Sequence, residues 1–283
     1  MSWPYWARNQ RARVVAPPPP PPPPPPISGG FAPNEPSGFT TFLDHVWNST
    51  AAPSGWYLSI NNSLTNSILT GPGPEHPTSW GIEQTVNENG TGQIAILDRQ
   101  SPTGSRRFYT AFAYRFSPNF AWHVNGTKVI YPFLSGTGRP FEFGFSPLAG
   151  QFGDAFNWRM FTYYLDNPGI PKVLAENQGA PALVRNKWYR MELLVENNAV
   201  LNQPTGRIRW WNSEWNGSTW GAPILRSDNS NIVLWPEYMS AQPGTWGLFQ
   251  YNLYYGGSGP SNIPEAQVME INRLYQSHST VGI

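Results

Sequence analysis

Fourteen Trp and thirteen Tyr stand out in a chain of 283 residues of which only 12% are charged. Indole N–H and phenol O–H groups need partners when buried, so a core draws more readily on Phe, Leu, Ile and Val. Trp and Tyr interleaved with Asn, Gln and Arg suit carbohydrate: sugar rings offer apolar C–H faces to aromatic rings, and sugar hydroxyls take planar polar groups. Two stretches concentrate them. WWNSEWNGSTW holds Trp210, Trp211, Trp215 and Trp220, and YNLYYGGSG holds Tyr251, Tyr254 and Tyr255. Strand alternation sends about half of such residues into a core; Trp211, Tyr254 and Tyr255 are the stacking candidates.

Other chemistries lack their residues. There is no Cys, hence no disulfide framework, thiolate metal site or cysteine nucleophile. No Gly-rich phosphate loop, HExxH, EF-hand loop or GxSxG elbow occurs. The four histidines, His45, His76, His123 and His278, do not pair with other ligand types at metal spacing, so neither a metal nor a cofactor is expected. Hydrolysis of a glycoside needs two carboxylates flanking the bond. Glu142 in FEFGF and Glu192 in YRMELL instead stand alone on their segments, although distant carboxylates can meet in space. Five Asn-x-Ser/Thr sequons, at Asn48, Asn61, Asn89, Asn125 and Asn216, carry little weight in a chain so rich in Asn, Ser, Thr and Gly.

The elements that would position these residues are strands. FYTAFAYRF alternates Phe108, Thr110, Phe112, Tyr114 and Phe116 on one face, and FEFGF does the same with Phe141, Phe143 and Phe145. KWYRMELLVEN sets Tyr189, Met191, Leu193 and Val195 against Trp188, Arg190 and Glu192; TGRIRWWNSE sets Ile208 and Trp210 against Arg207, Arg209 and Trp211. This period of two, punctuated by Gly, Pro and Asn, predicts an all-β, two-sheet antiparallel jelly-roll sandwich with Phe112, Phe143, Tyr189, Leu193 and Ile208 in its core. Thr41 to Trp47, TFLDHVW, reads as one helical turn or an irregular entry segment.

Ahead of this domain lie two compositionally distinct pieces. Residues 1–16 form a basic-aromatic arm with Trp3, Tyr5, Trp6, Arg8, Arg11 and Arg13 and no acid. Residues 17–30 comprise ten prolines and an Ile-Ser-Gly-Gly joint; the prolines suit a polyproline II stalk of roughly 30 Å. The jelly-roll domain is expected over 31–283. The stalk is either a passive linker or a spacer, and in the second case residues 1–26 should contact a protein partner in a larger assembly, with the aromatics as anchors and the arginines as charge-assisted donors. A net charge of +1 gives no general attraction to nucleic acid, and no apolar stretch approaches the roughly 20 residues of a membrane span. The opening MSWPYWARNQRARVVA has no continuous apolar core of a secretory signal. An extracellular or virion-surface location is expected, reached by another route such as a particle released by lysis.

Four segments in order resemble the concanavalin A-like jelly-roll superfamily, in particular its polysaccharide-lyase branch of alginate and glucuronan lyases: FYTAFAYRFSPNF; HVNGTKVIYPFLSG; KWYRMELLVENN with GRIRWWNSE; and FQYNLYYGGSGPSNIPEAQVMEINRLYQS. The resemblance covers about residues 105–277. It implies a polysaccharide ligand and, if the site is active, β-elimination on a uronate polymer. Lys128 then takes the place of the family lysine and Tyr163 that of a family tyrosine acid or base, with Arg159 on the same face two pleats away and His123 as a spare candidate. The sequence departs from the pattern at Tyr131-Pro132-Phe133, where the family continues with Gly after Pro, and at Met269-Glu270-Ile271-Asn272, where the family has Asp-Asn. These departures favour a non-catalytic glycan-binding domain displayed through its arm, as in a virion or phage decoration or fibre protein. A secreted lyase is the main alternative, and a purely structural lattice protein the second.

Overall fold

The computed structural model describes residues 30–60, 64–71, 73–84, 93–100, 104–123, 126–134, 142–147, 153–161, 181–235, 240–241, 244–255 and 263–280. The arm residues Trp3, Tyr5, Trp6, Arg8, Arg11 and Arg13 and the proline run lie outside them. Among the described residues there is no helix, and hence none long and apolar enough to cross a membrane.

Among the described residues fifteen strands form two antiparallel sheets. The eight-stranded sheet runs β13 (Ile224–Ile232), β12 (Gly206–Glu214), β11 (Tyr189–Glu196), β6 (Arg107–Phe116), β15 (Gln267–Ser279), β4 (Thr78–Gln84), β3 (Leu64–Thr70), with β1 (Thr40–Val46) also on β15. The seven-stranded sheet runs β10 (Leu183–Val184), β9 (Ala155–Phe161), β8 (Glu142–Pro147), β7 (Thr127–Leu134), β14 (Trp246–Tyr255), β5 (Gln93–Gln100), β2 (Tyr57–Ile60). The segment Thr41 to Trp47, read as one helical turn or an irregular entry, falls on β1 except for its last residue. Seven residues are short enough for either reading, and pairing from Thr40 opposite His278 to Val46 opposite Arg273 decides for the strand. Its end is locked by Trp47, stacked on Trp80 at 4.5 Å and 21°.

Between the sheets lies a core of aromatic rings. Phe112, Tyr114 and Phe116 from β6 meet Phe145 of β8 and Phe156 and Trp158 of β9. Several of the polar atoms carried inward are paired. Trp158 Nε1 donates to the Tyr114 hydroxyl at 2.8 Å, and Gln276 Nε2 donates to the Tyr251 hydroxyl at 2.7 Å, which also bonds Thr110. Phe112, Tyr189, Leu193 and Ile208 are buried here as the alternation predicts. Phe143 occupies the equivalent register position on β8, two residues from Phe145; its side chain lies outside the described residues.

The centre of the outer face of the eight-stranded sheet is buried too. Tyr109, Ala111, Ala113, Leu194, Trp211 and Tyr275 form a second apolar cluster that Phe31 covers and against which Ala32 and Phe39 pack. A strap, residues 31–39, thus crosses that face before β1 begins. Phe31 sits under the guanidinium groups of Arg273 (4.6 Å) and Arg190 (5.9 Å), and Arg107 lies over Phe39 at 4.9 Å. Glu35 accepts from the Tyr275 hydroxyl at 2.8 Å. The strap's strongest hold is Glu192, which is 0% exposed. Its Oε2 accepts the backbone N–H of Asn34 (2.9 Å), the Asn34 amide (3.0 Å) and the Tyr109 hydroxyl, while Arg190 Nε lies 3.4 Å from Oε1.

Burial pushes the Glu192 carboxyl above the usual carboxylate range, against the opposing pull of Arg190, Tyr109 and Asn34. A carboxyl whose pKa rises on folding favours the fold while protonated, and that contribution is lost as pH rises through its folded value. The melting temperature of the wild type should therefore fall, relative to Glu192→Gln, as pH is raised from below the ordinary glutamate range to neutrality. Parallel melting profiles for the two proteins would contradict this.

Candidate functional site

The strap covers the centre of the outer face of the eight-stranded sheet, and the expected site residues Lys128, Arg159 and Tyr254 lie on the seven-stranded sheet. Its inner face is marked by Tyr251, Phe145 and Trp158, all core residues. Partners directly opposite in an antiparallel pair share a face. Tyr254 pairs with Lys128, Lys128 with Gly144, and Gly144 with Arg159. Gly144 is next to Phe145 and Arg159 next to Trp158, so the whole row belongs to the outer face. The register thus brings three expected site residues, Tyr254, Lys128 and Arg159, into one line across β14, β7, β8 and β9.

Lys128 reaches this face because of an irregularity in β7. Ile130 is a core residue opposite Phe143 and Tyr251, and strict alternation would send Lys128 inward with it. The register slips between Lys128 and Ile130, Val129 and Ile130 both enter the core, and Lys128 is turned outward. The bulge draws β7 close to β8, and Gly144 makes that approach possible. A Cβ at position 144 would stand 2.3 Å from the Thr127 carbonyl oxygen and 2.8 Å from Lys128 Cα.

His123 precedes β7, and its carbonyl accepts the Gly126 N–H at 2.8 Å. Burial lowers its pKa, and the positive charge of Lys128 lowers it further, so the imidazole is neutral at pH 7 and lies within electrostatic reach of the lysine. It is 0% exposed. Asn157, opposite Ser146 on the same outer face, is 6% exposed, and its Oδ1 has no hydrogen-bond partner among the described residues. Tyr131, opposite Gln250 on that face, is also buried. Both of these outer-face positions near the row are therefore shielded from solvent.

Other expected residues lie elsewhere. Tyr255 pairs with Thr127, whose partner is the inward Phe145, so its register position belongs to the inner face. Trp211 is on the outer face of the other sheet, 6% exposed, within the strap-covered cluster and under the Arg209 guanidinium. Tyr163 lies outside the described residues. Glu142 and Glu192 fall on different sheets, and Glu192 is tied to the strap. Among the described residues no group of three His, Cys, Asp or Glu could hold a metal ion. A cavity of about 220 Å³ on the eight-stranded sheet, lined in part by Ser79, Arg115, Trp188 and Glu270, has its two charges already paired, with Arg115 Nε donating to Glu270 Oε1 at 2.8 Å. Sequence reasoning missed Asn157 and Tyr57. Tyr57 is the exposed aromatic at the edge of the same sheet, and the alternation of Trp56, Tyr57 and Leu58 was a signal that could have found it.

Solved structures share this architecture, two lyases among them. The endo-β-1,4-glucuronan lyase from the fungus Trichoderma reesei superimposes with a TM-score of 0.53 at 14% identity, covering 85% of this chain and 96% of that one. Alginate lyase Aly36B gives 0.52 at 15% identity, covering 80% and 97%. The fold is a concanavalin A-like jelly roll. At such identities the jelly-roll likeness concerns the fold alone. No family model matches the sequence, and no curated protein matches it.

The close approach at Gly144 is directly testable in this jelly roll. Gly144→Ala should cost about 1–3 kcal/mol in denaturant unfolding, as overpacking does, and should shift the backbone amide resonances of Thr127 and Lys128. Gly71→Ala, where a Cβ meets nothing within 4 Å, is the matched control and should leave both measurements nearly unchanged.

Proposed function

We propose that the outer face of the seven-stranded sheet binds an acidic polysaccharide without cleaving it. The observation that carries this reading is the cross-strand row Tyr254, Lys128, Gly144, Arg159: two cationic residue types and a phenol in register on one face. Cations suit a carboxylate-bearing polymer, through Coulomb attraction and charge-assisted hydrogen bonds. The neighbours in fold act, by their names, on glucuronan and alginate, both uronate polymers, which points to the same ligand class.

Binding is favoured over catalysis by His123. An acid or base must come within hydrogen-bond reach of the proton it moves. His123 is neutral and has the right chemistry for a base, which supports the lyase as second reading, but no part of its side chain is open to a substrate. β-Elimination would divide the work as follows: Lys128 and Arg159 neutralise the substrate carboxylate, His123 or Tyr163 removes the adjacent carbon proton, and an acid protonates the leaving oxygen.

The arm completes the proposal. Residues 1–26 attach the domain to a protein partner in a larger assembly, at a virion or other extracellular surface. The position of the strap supports this division, because the chain enters the domain on the sheet opposite the ligand face, so a tether there leaves the row unobstructed.

Incubation with alginate, glucuronan and heparin-type polymers, followed by ultraviolet absorbance and by calorimetric binding, separates the readings. Binding without a rise in absorbance is expected, with affinity falling on added salt and about tenfold lower in Lys128→Ala, whose melting temperature should be unchanged. Turnover of any polymer by the wild type, lost in Lys128→Ala, would establish the lyase instead. Neither binding nor turnover would leave the lattice protein.

A further inference from the structure

The outer face of the seven-stranded sheet carries a second aligned row. Tyr57 on β2 pairs with Asp98 on β5, Asp98 with Gln250 on β14, and Gln250 with Tyr131 on β7. The face of this row is fixed by its neighbours. Leu58 and Trp56 pack into the core, the latter against Tyr251 at 5.9 Å between ring centroids, so Tyr57 is turned outward. It is 64% exposed, whereas the other large aromatic residues among the described ones are buried or half-buried. An exposed phenol beside carboxylate and amide positions is the residue set that takes a sugar ring: a stacking surface with acceptors and donors for hydroxyls.

The spacing between the rows matters. Gln250 and Tyr254 lie four residues apart on β14, about 13 Å, and Tyr57 is three strand spacings from Lys128, about 14 Å, so the diagonal is about 20 Å. That is the length of several sugar rings, too far for one disaccharide and within reach of a longer oligosaccharide. We propose that Tyr57 is an outlying stacking platform for the same polysaccharide chain, which runs diagonally across the sheet from the Lys128 row to the β2 edge. The two rows act as linked modules: occupying the first raises the effective concentration of the chain at the second, so affinity grows with polymer length. This inference rests on the acidic-polysaccharide reading and adds to it the direction and minimum length of the ligand.

The test is calorimetric binding of alginate and glucuronan oligosaccharides of two and of six units to the full chain, comparing wild type, Tyr57→Ala, Tyr57→Phe and Lys128→Ala. Tyr57→Ala should bind the hexasaccharide about two- to tenfold more weakly and the disaccharide as the wild type does. Tyr57→Phe should keep the hexasaccharide affinity, and Lys128→Ala should weaken both ligands. An exposed side chain is removed without touching the core, so unchanged melting of Tyr57→Ala is part of the expectation. Equal loss for both lengths, or no loss for either, overturns the platform while leaving the Lys128 row standing. Failure of the wild type to bind any of these ligands overturns the underlying reading together with it.

Discussion

A fully buried carboxylate on the outside of a sheet is the constraint on which the molecule turns. Glu192 would be intolerable at its position on β11 if that face met only apolar groups, since an unpaired buried charge is among the costliest defects a fold can carry. Asn34, Tyr109 and Arg190 make it tolerable, and two of the three bonds that Oε2 accepts come from a residue of the strap. The strap in turn shields Tyr109, Trp211 and Tyr275 from water. The centre of the eight-stranded sheet consequently is buried on both faces, and every residue of β11 is buried. The strap thus closes the centre of one sheet, and the ligand face proposed above belongs to the other.

On that remaining face a local irregularity does what regular pleating cannot. A lysine two residues from a core isoleucine belongs inside by alternation. The slip at Val129 reverses it, and the missing side chain of Gly144 gives β7 the room to slip. Lys128 is thereby set beside the register positions of Arg159 and Tyr254 from two other strands. His123, which precedes β7, feels the lysine charge yet is sealed from solvent, which is why the arrangement suits holding an anion better than moving a proton.

Much of this was legible in the sequence, and the rest failed for identifiable reasons. Alternation in FYTAFAYRF, KWYRMELLVEN and TGRIRWWNSE identified strands that pair in the middle of one sheet, and four of the five expected core residues are buried. Lys128, Arg159 and Tyr254 were each singled out, but their alignment depends on the register of four strands scattered over more than 120 residues of sequence, which no local pattern encodes. Trp211 was correctly read as turned away from the core. The covering strap lies some 170 residues upstream, so the alternation could not reveal that its ring is buried. Glu192 looked isolated for the same reason: its partners Asn34 and Tyr109 are distant in sequence. TFLDHVW was ambiguous by length, and only its pairing with β15 resolved it.

The account's central claim is that ligand binding belongs to one outer face and structural closure to the other. Chemical-shift mapping of backbone amides with an alginate or glucuronan hexasaccharide tests this most directly. The largest perturbations are predicted at Lys128, Gly144, Arg159 and Tyr254, with residues 31–39 and the outward positions of β6 and β11 unchanged. Perturbations centred instead on the strap or on the outward positions of β11 would contradict the account.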